Sequence, residues 1–113
     1  MFSKVNNNVV IGKNFRNIRG KCGLTIRQIA DYLNVEPGHI FLCEIGYQSF
    51  STDIIERASN LFGCCTNHIT ENDAEYVPIF IFSKDTSIEE LNAVAHINRI
   101  YLNLQLLDRI LIS

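Results

Sequence analysis

The sequence lacks the paired cysteine spacing that structural metal sites require. Its four cysteines, Cys22, Cys43, Cys64 and Cys65, form no C-x-x-C pair, and no histidines follow them at zinc-finger distances. We therefore predict reduced thiols that pack in the protein interior, with no bound metal and no other cofactor.

A reactive cluster of the kind that enzymes use is also missing. Cys64, Cys65 and His68 are close in sequence, but no acid or second base is spaced to orient His68. A vicinal cysteine pair that follows a helix-ending glycine more simply supplies one core residue and one surface residue. We expect no catalytic residues and no enzymatic activity.

Long apolar runs are absent as well. The first ten residues, MFSKVNNNVV, do not contain the apolar centre of a signal peptide. The longest apolar stretch, VPIFIF at residues 77–82, is far shorter than a membrane span. These absences predict a cytoplasmic protein with no membrane partner.

Charge is distributed unevenly along a chain long enough for one compact domain and one further element. Residues 1–70 hold seven Lys and Arg against five Asp and Glu, a net charge of +2. Residues 71–113 hold three basic and seven acidic residues, a net charge of −4. This division predicts a mildly basic front and an acidic tail that contacts a partner.

Short helices separated by turn signals are predicted over residues 11–70. Ile11, Phe15 and Ile18 form one apolar stripe on the first helix. Thr25 and Gln28 form a T-x-x-Q capping box at the start of the second. The remaining signals are a left-handed turn at Asn34, Pro37 at the start of the third helix, Gly46 at its end, and a fourth helix between Ser51 and Gly63.

The residues of this front part carry a family resemblance. The matching pieces are I-R at residues 18–19, L-T at 24–25, I-A-x-x-L-x-V at 29–35, I-x-x-x-E-x-G at 40–46 and L-F-G-C at 61–64. On these motifs residues 11–69, about half of the chain, resemble the Cro/repressor-like, Xre-type helix-turn-helix family. The resemblance implies an all-α, five-helix bundle whose third helix enters the major groove of double-stranded DNA. It also implies that Arg19 pairs with Glu44 as a structural ion pair.

One departure from the family pattern lies at the start of the second helix. The family usually has Gln directly after Thr25, where it holds a DNA phosphate, whereas this sequence has Ile26. We expect Arg27 and Gln28 to replace that contact, because they lie at the same anion-attracting helix end.

A second departure is that residues 35–46 contain no Lys or Arg. Ile40 and Cys43 are predicted to face inward. The residues left on the outward face are largely apolar: Gly38, His39, Phe41, Leu42 and Ile45. Phe41 and Leu42 could contact thymine methyl groups. Alternatively, this pair is a surface for a protein partner or a packed edge, and His39 is simply solvated.

The predicted DNA contacts come from all three helices and the following loop. Lys13 and Arg16 of the first helix either contact phosphates or form an ordinary solvated face. The usual basic residues after the third helix are replaced by side chains that can donate hydrogen bonds but release no counterions. The full set is Arg16, Thr25, Arg27, Gln28, Gly38, His39, Phe41, Leu42, Tyr47, Gln48 and Ser49.

The remainder of the chain changes character after residue 70. Residues 76–82 favour extended structure, and Pro78 excludes an internal sheet strand, so we expect an arm on the bundle or on a second subunit. Ser87 and Glu90 form an S-x-x-E capping box before a long helix. One stripe of that helix has coiled-coil-like spacing: Ala93, Ile97, Ile100, Leu104, Leu107 and Leu111. A second apolar stripe lies beside it: Ile88, Leu91, Ala95, Leu102 and Leu106.

Two apolar stripes on one helix predict two neighbours. One is the front bundle and the other a partner helix, most simply in a homodimer, with a tetramer also compatible. The alternative is that the whole helix folds back on its own domain. The predicted organisation is therefore a flexible segment at 1–10, a DNA-binding domain at 11–70, an acidic linker and arm at 71–86, and a dimerisation helix at 87–113.

Two functions fit this organisation, whose layout also resembles that of the small SinR-type regulators of Gram-positive bacteria. The first is a dimeric, sequence-specific DNA-binding transcriptional regulator, a repressor that binds an inverted-repeat operator. The second is an antagonist that binds DNA weakly or not at all and forms mixed oligomers with a related regulator through its last helix.

Overall fold

The fold is all-α. A computed structural model of the 113-residue chain describes the backbone of residues 2–112 and the side chains of residues 7–105. Its helices are α1 (Phe2–Lys21), α2 (Ile26–Leu33), α3 (Pro37–Glu44), α4 (Thr52–Phe62), α5 (Thr66–Thr70) and α6 (Ile88–Ile112). No helix in the described part of the chain combines the length and the apolar character needed to cross a membrane.

The helix ends follow the local sequence signals. The Thr25 hydroxyl accepts a hydrogen bond from the backbone N–H of Gln28, whose side-chain oxygen accepts one from the N–H of Thr25. Ser87 and Glu90 form the same reciprocal box at α6, and the hydrogen bonds from Ser87 lower the pKa of the Glu90 carboxyl. Asn34 closes α2 in the left-handed conformation, with φ of 58°. These predicted caps are confirmed.

The predicted start of the first helix is wrong. Residues 1–10 were expected to be a flexible segment, but α1 begins at Phe2. Part of the reason is tertiary packing, since Val9 lies against the turn after α3. A Cβ added to Gly46 would come within 2.9 Å of the Val9 side chain. Local sequence does not reveal a contact between residues this far apart in the chain.

Aromatic side chains form the centre of the bundle. The Phe15 ring of α1 is fully buried and stacks on Phe50, with ring centroids 4.3 Å apart. Its other neighbour is Phe62 of α4, which it meets edge to face at 5.3 Å. Rings at these separations are worth about 0.5–1.5 kcal/mol beyond the apolar area they bury. The three rings thus join the first and fourth helices through the loop between α3 and α4.

The inner face of α6 packs on α4 and α2. Leu91 and Ala95 are buried there, as the second apolar stripe predicted. Asn98 is buried beside them, and its side-chain amide donates a hydrogen bond of 3.3 Å to the carbonyl of Leu61. Because buried polar groups are normally hydrogen-bonded, this bond adds a polar link between α6 and α4 to the packing of Leu91 and Ala95. The last helix therefore belongs to the bundle along one face.

Residues 76–82, here called the arm, lie on the bundle. At one end the Tyr76 hydroxyl is buried and donates a 2.6 Å hydrogen bond to the carbonyl of Phe62. Because its single proton is used there, the hydroxyl accepts from the thiol of Cys22, whose sulfur lies 2.9 Å away. At the other end the backbone N–H of Phe82 donates to the carbonyl of Cys22 at 2.7 Å. The inner side of the arm thus lies on its own bundle, which was one of the two predicted locations.

The Tyr76 phenol should contribute measurably to stability. Burial, reinforced by the contact with Cys22, raises the pKa of Tyr76, so the hydroxyl remains a donor at neutral pH. In Tyr76→Phe the carbonyl of Phe62 loses its side-chain donor, and we expect the free energy of unfolding to fall by about 1–3 kcal/mol. Urea denaturation followed by circular dichroism measures the change. Tyr47→Phe is the control, because Tyr47 is 78 % exposed and should not alter stability. Equal stability of the two variants would contradict a role for this hydrogen bond.

Candidate nucleic-acid interface

Helix α3 has one buried and one exposed side. Ile40 and Cys43 are fully buried, in agreement with the predicted inward face. Phe41 and Ile45, the residue after the helix, are each about half exposed, at 52 % and 51 %. Gly38 is exposed on the first turn. This short helix therefore presents an apolar surface to its surroundings.

A buried ion pair fixes the end of α3 against α1. The Arg19 guanidinium donates two hydrogen bonds to the carboxylate of Glu44, Nε to Oε2 at 2.7 Å and Nη2 to Oε1 at 3.0 Å. A third bond runs from Arg19 Nη1 to the carbonyl of Leu24 at 2.8 Å. The side chains are only 14 % and 3 % exposed. The predicted pairing is thus confirmed, and the bidentate geometry compensates for burying the two charges.

The proposed contacts at the start of α2 need one correction. Gln28 is buried, and its amide group donates to the carbonyls of Ser83 at 2.7 Å and Thr86 at 3.3 Å. Its oxygen is occupied by the capping box. The prediction that Gln28 contacts DNA is therefore wrong, because both ends of the side chain are used within the chain. Arg27 and Thr25 are exposed and remain candidates.

Ile26, which stands where the resembled family usually has Gln, forms part of the candidate surface. It is partly buried and lines a small hollow of about 120 Å³ together with Arg16, Phe41 and Ile45, above the Arg19 and Glu44 pair. The structure thus brings the exposed Arg16 of α1 to the outer side of α3. Neither Ile26 nor Ile45 was among the predicted DNA contacts, although Ile45 was predicted to lie on the outward face of α3, where it is exposed.

His39 is held by two hydrogen-bonding neighbours. Its Nδ1 lies 2.8 Å from Oε1 of Gln48, and its Nε2 lies 3.7 Å from the sulfur of Cys43. Because an amide oxygen only accepts, it is Nδ1 of His39 that donates the hydrogen bond to Gln48. The Gln48 amide nitrogen is left exposed and makes no hydrogen bond within the described part of the chain. His39 therefore orients Gln48 and is not a freely solvated side chain.

The loop after α3 offers side chains but few backbone donors. Gly46 adopts a left-handed conformation with φ of 86°, and the chain turns back on α3. The backbone N–H groups of Tyr47 and Gln48 both donate to the carbonyl of Leu42, at 3.0 and 3.3 Å. The N–H groups of Tyr47 and Gln48 are thus not available to phosphates, whereas the side chains of Tyr47, Gln48 and Ser49 are all exposed.

The electrostatic character of the surface is only weakly basic. Lys13, Arg16 and Arg27 are exposed on the two helices beside α3. Glu36 lies at the N-cap of α3, also exposed, and makes no capping hydrogen bond with its side chain. A carboxylate at this helix end opposes the attraction of the helix dipole for an anion. Phosphate binding would therefore depend on a small number of cations from α1 and α2.

The predicted dimerisation stripe of α6 is accessible in the single chain. Ala93, Ile97, Ile100 and Leu104 are all exposed, whereas the neighbouring stripe is buried at Leu91 and Ala95. The side chains of the other predicted members, Leu107 and Leu111, lie outside the described residues, as does that of Leu106. A helix with one covered and one open apolar side is available for a partner.

The four cysteines differ in burial. Cys22, Cys43 and Cys64 are buried, whereas Cys65 is exposed, as expected for a vicinal pair with one core and one surface member. Burial, with smaller effects of Cys22 and Cys65, raises the pKa of Cys64 to about 12, so its thiol is protonated at neutral pH. His68 packs edge to face with Tyr76, and its buried Nδ1 has no hydrogen-bond partner in the described part of the chain. Over those same residues, no group of three or more His, Cys, Asp and Glu side chains could hold a metal ion.

Comparison of the chain with protein-family models, with curated proteins and with solved structures finds no match.

The Arg19 and Glu44 pair provides a direct test of this geometry. Arg19→Ala leaves the carboxylate of Glu44 buried without its partner, and we expect the free energy of unfolding to fall by about 3 kcal/mol or more. Chemical denaturation measures the loss. In Arg19→Ala combined with Glu44→Gln, part of the stability should return, because no unpaired charge remains in the interior.

The matched control is an exposed ion pair. Asp53 lies 3.9 Å from Arg57, with side chains 76 % and 40 % exposed. Asp53→Asn should change stability by less than about 0.5 kcal/mol. If Arg19→Ala were as mild as Asp53→Asn, the pair would not be a determinant of the fold.

Proposed function

We propose that the chain is a dimeric, sequence-specific DNA-binding transcriptional regulator, a repressor whose helices α2 and α3 form a helix-turn-helix unit. The observation that carries the proposal is the setting of α3. The helix is anchored on the bundle by Ile40, Cys43 and the paired Glu44, and its opposite side is exposed with Arg16 of α1 beside it. A short helix held rigidly on a scaffold with one side free fits the major groove.

The exposed side chains suggest how such a helix recognises bases. Phe41 and Ile45 are suited to apolar contact with thymine methyl groups. Gln48, oriented by His39, presents its amide nitrogen as a donor. Gly38 allows the backbone to approach the groove, since no atom lies within 4 Å of where its Cβ would be. Sequence discrimination would thus come from shape and methyl contacts more than from charged hydrogen bonds.

Arg16 and Arg27 would make the charged contacts with phosphates. Thr25, Tyr47 and Ser49 would add uncharged hydrogen-bond donors. Two cations per subunit release few counterions, so the affinity should depend only moderately on salt. A two-fold dimer through α6 would present two α3 helices to successive major grooves, roughly 34 Å apart. The corresponding operator is a short inverted repeat.

A second function is favoured by the same apolar face. With Phe41 and Ile45 half exposed and Glu36 at its first turn, α3 also suits a protein partner. In that case the chain would bind DNA weakly or not at all, and act as an antagonist that forms mixed oligomers with a related regulator through α6. The two functions differ in whether the chain alone binds DNA.

Titration of the purified protein against genomic fragments, including its own upstream region, at about 50 and 200 mM salt distinguishes them. We expect specific binding that weakens with salt. Arg27→Ala should reduce the slope of log K against log salt by about 1 per subunit, because one phosphate contact is lost. Phe41→Ala should reduce discrimination between specific and random fragments.

The matched control for Arg27 is Arg99→Ala, which removes an exposed cation from α6 and should leave affinity and slope unchanged. A folded protein with no specific binding in either salt would contradict the first function and support the antagonist.

Adding a methyl group at Gly38 tests whether the backbone there lies close to the DNA groove. Gly38→Ala should leave the fold equally or more stable, by up to about 1 kcal/mol, since alanine favours a helix. Its DNA affinity should nevertheless fall several-fold, because the methyl group separates helix and groove. Gly20→Ala is the control, since its Cβ would also meet no atom within 4 Å but lies at the end of α1. Electrophoretic mobility shifts compare the two, and unchanged affinity in Gly38→Ala would exclude a close backbone approach.

A further inference from the structure

The arm has a fixed course because both of its ends are anchored. Tyr76 is buried at one end through its hydroxyl. Phe82 packs on the core at the other end, where its N–H bonds to Cys22. Just beyond it, the amide of Gln28 binds the carbonyls of Ser83 and Thr86. A segment held at both ends in this way presents its middle residues at a constant position.

Those middle residues are apolar and exposed. Val77 and Ile81 are 76 % and 75 % exposed, and Ile79 between them is 56 % exposed. Nothing in the described part of the chain covers them, although three such side chains side by side are costly to leave in water.

The arm and α6 together form one surface. A groove of about 400 Å³ runs between them, lined by Ile79 and Phe80 from the arm and by Ile97, Asn98 and Tyr101 from the helix. We call the combined region the arm–helix surface. It is defined as the exposed apolar residues that line this groove, Ile79, Phe80, Ile97 and Tyr101, together with their exposed apolar neighbours along the arm and along α6, Val77, Ile81, Ile100 and Leu104.

The arm–helix surface is large for a monomer. Its eight side chains are between 39 % and 76 % exposed. Together they expose on the order of 800 Å², about the area that one partner contributes to a stable protein–protein interface. The largest apolar patch on a typical monomeric protein is smaller, about 300–600 Å². An exposed area of this size therefore argues for a protein partner.

We propose that the occupant of the arm–helix surface is the arm–helix surface of a second copy of the chain, so that the arm supplies half of the dimer interface. This inference rests on the dimeric state in the proposed function and adds the arm to it. None of the eight side chains is charged, so two copies can meet without opposing like charges. In a two-fold arrangement Val77 or Ile81 of one copy enters the groove between Phe80 and Tyr101 of the other.

Sedimentation equilibrium of the full chain without DNA tests the arm separately from the helix. Ile81→Asp places a charge on the arm, where the side chain is three-quarters exposed in the single chain and the fold should not suffer. We expect the dimer dissociation constant to rise about tenfold or more. Val77→Asp should act in the same way, and Leu104→Asp on α6 should weaken the dimer similarly.

Tyr47→Asp is the matched control, because it charges an equally exposed aromatic residue of the α3 loop and should leave dimerisation unchanged. A dimer that is weakened by Leu104→Asp but not by Ile81→Asp or Val77→Asp would overturn the role of the arm. A wild-type chain that stays monomeric would overturn the second copy as the occupant. Because this experiment contains no DNA, each of these outcomes can be interpreted even if the chain proves not to bind DNA.

Discussion

The buried carboxylate of Glu44 is the constraint on which the candidate interface depends. Its partner, Arg19, also bonds to the carbonyl of Leu24, the residue before the cap of α2. One guanidinium thus fixes the end of α3 and the start of α2 to the same turn of α1. The close approach of α1 needs Gly12, where a Cβ would lie 2.6 Å from the carbonyl oxygen of Glu44. The orientation of α3 follows from these contacts more than from its own short sequence.

The same chain carries two exposed apolar areas on different elements. One, around Phe41 and Ile45, surrounds the outer side of α3, and the other is the arm–helix surface. On α6 the packed side carries Leu91, Ala95 and Asn98, whose amide donates to the carbonyl of Leu61, and the other side remains open. Each area thus lies opposite a helix side that is held on the bundle by apolar residues and one buried polar group, Glu44 on α3 and Asn98 on α6.

Sequence predicted the features that are local or that repeat with the helical period. The caps at Thr25, Asn34 and Ser87 and the inward positions of α3 depend on neighbouring residues, and they were correct. The pairing of Arg19 with Glu44 came from a family resemblance.

The errors concern long-range contacts. The extent of α1, which packs at Val9, and the internal use of Gln28 depend on segments distant in sequence. The exposed face of the arm was also not predicted from the sequence, because an apolar segment is ordinarily expected to be buried.

Gln28 illustrates how one side chain can limit what variation the chain tolerates. A capping box ordinarily accepts either Glu or Gln at this position. Here the amide nitrogen faces the carbonyls of Ser83 and Thr86, so a carboxylate would confront two acceptors with no proton to offer. The position is therefore restricted to an amide by residues more than fifty places away. After an insertion or deletion between α5 and α6, the chain must still bring those two carbonyls to the first turn of α2. The length of this linker is therefore constrained as well as its composition.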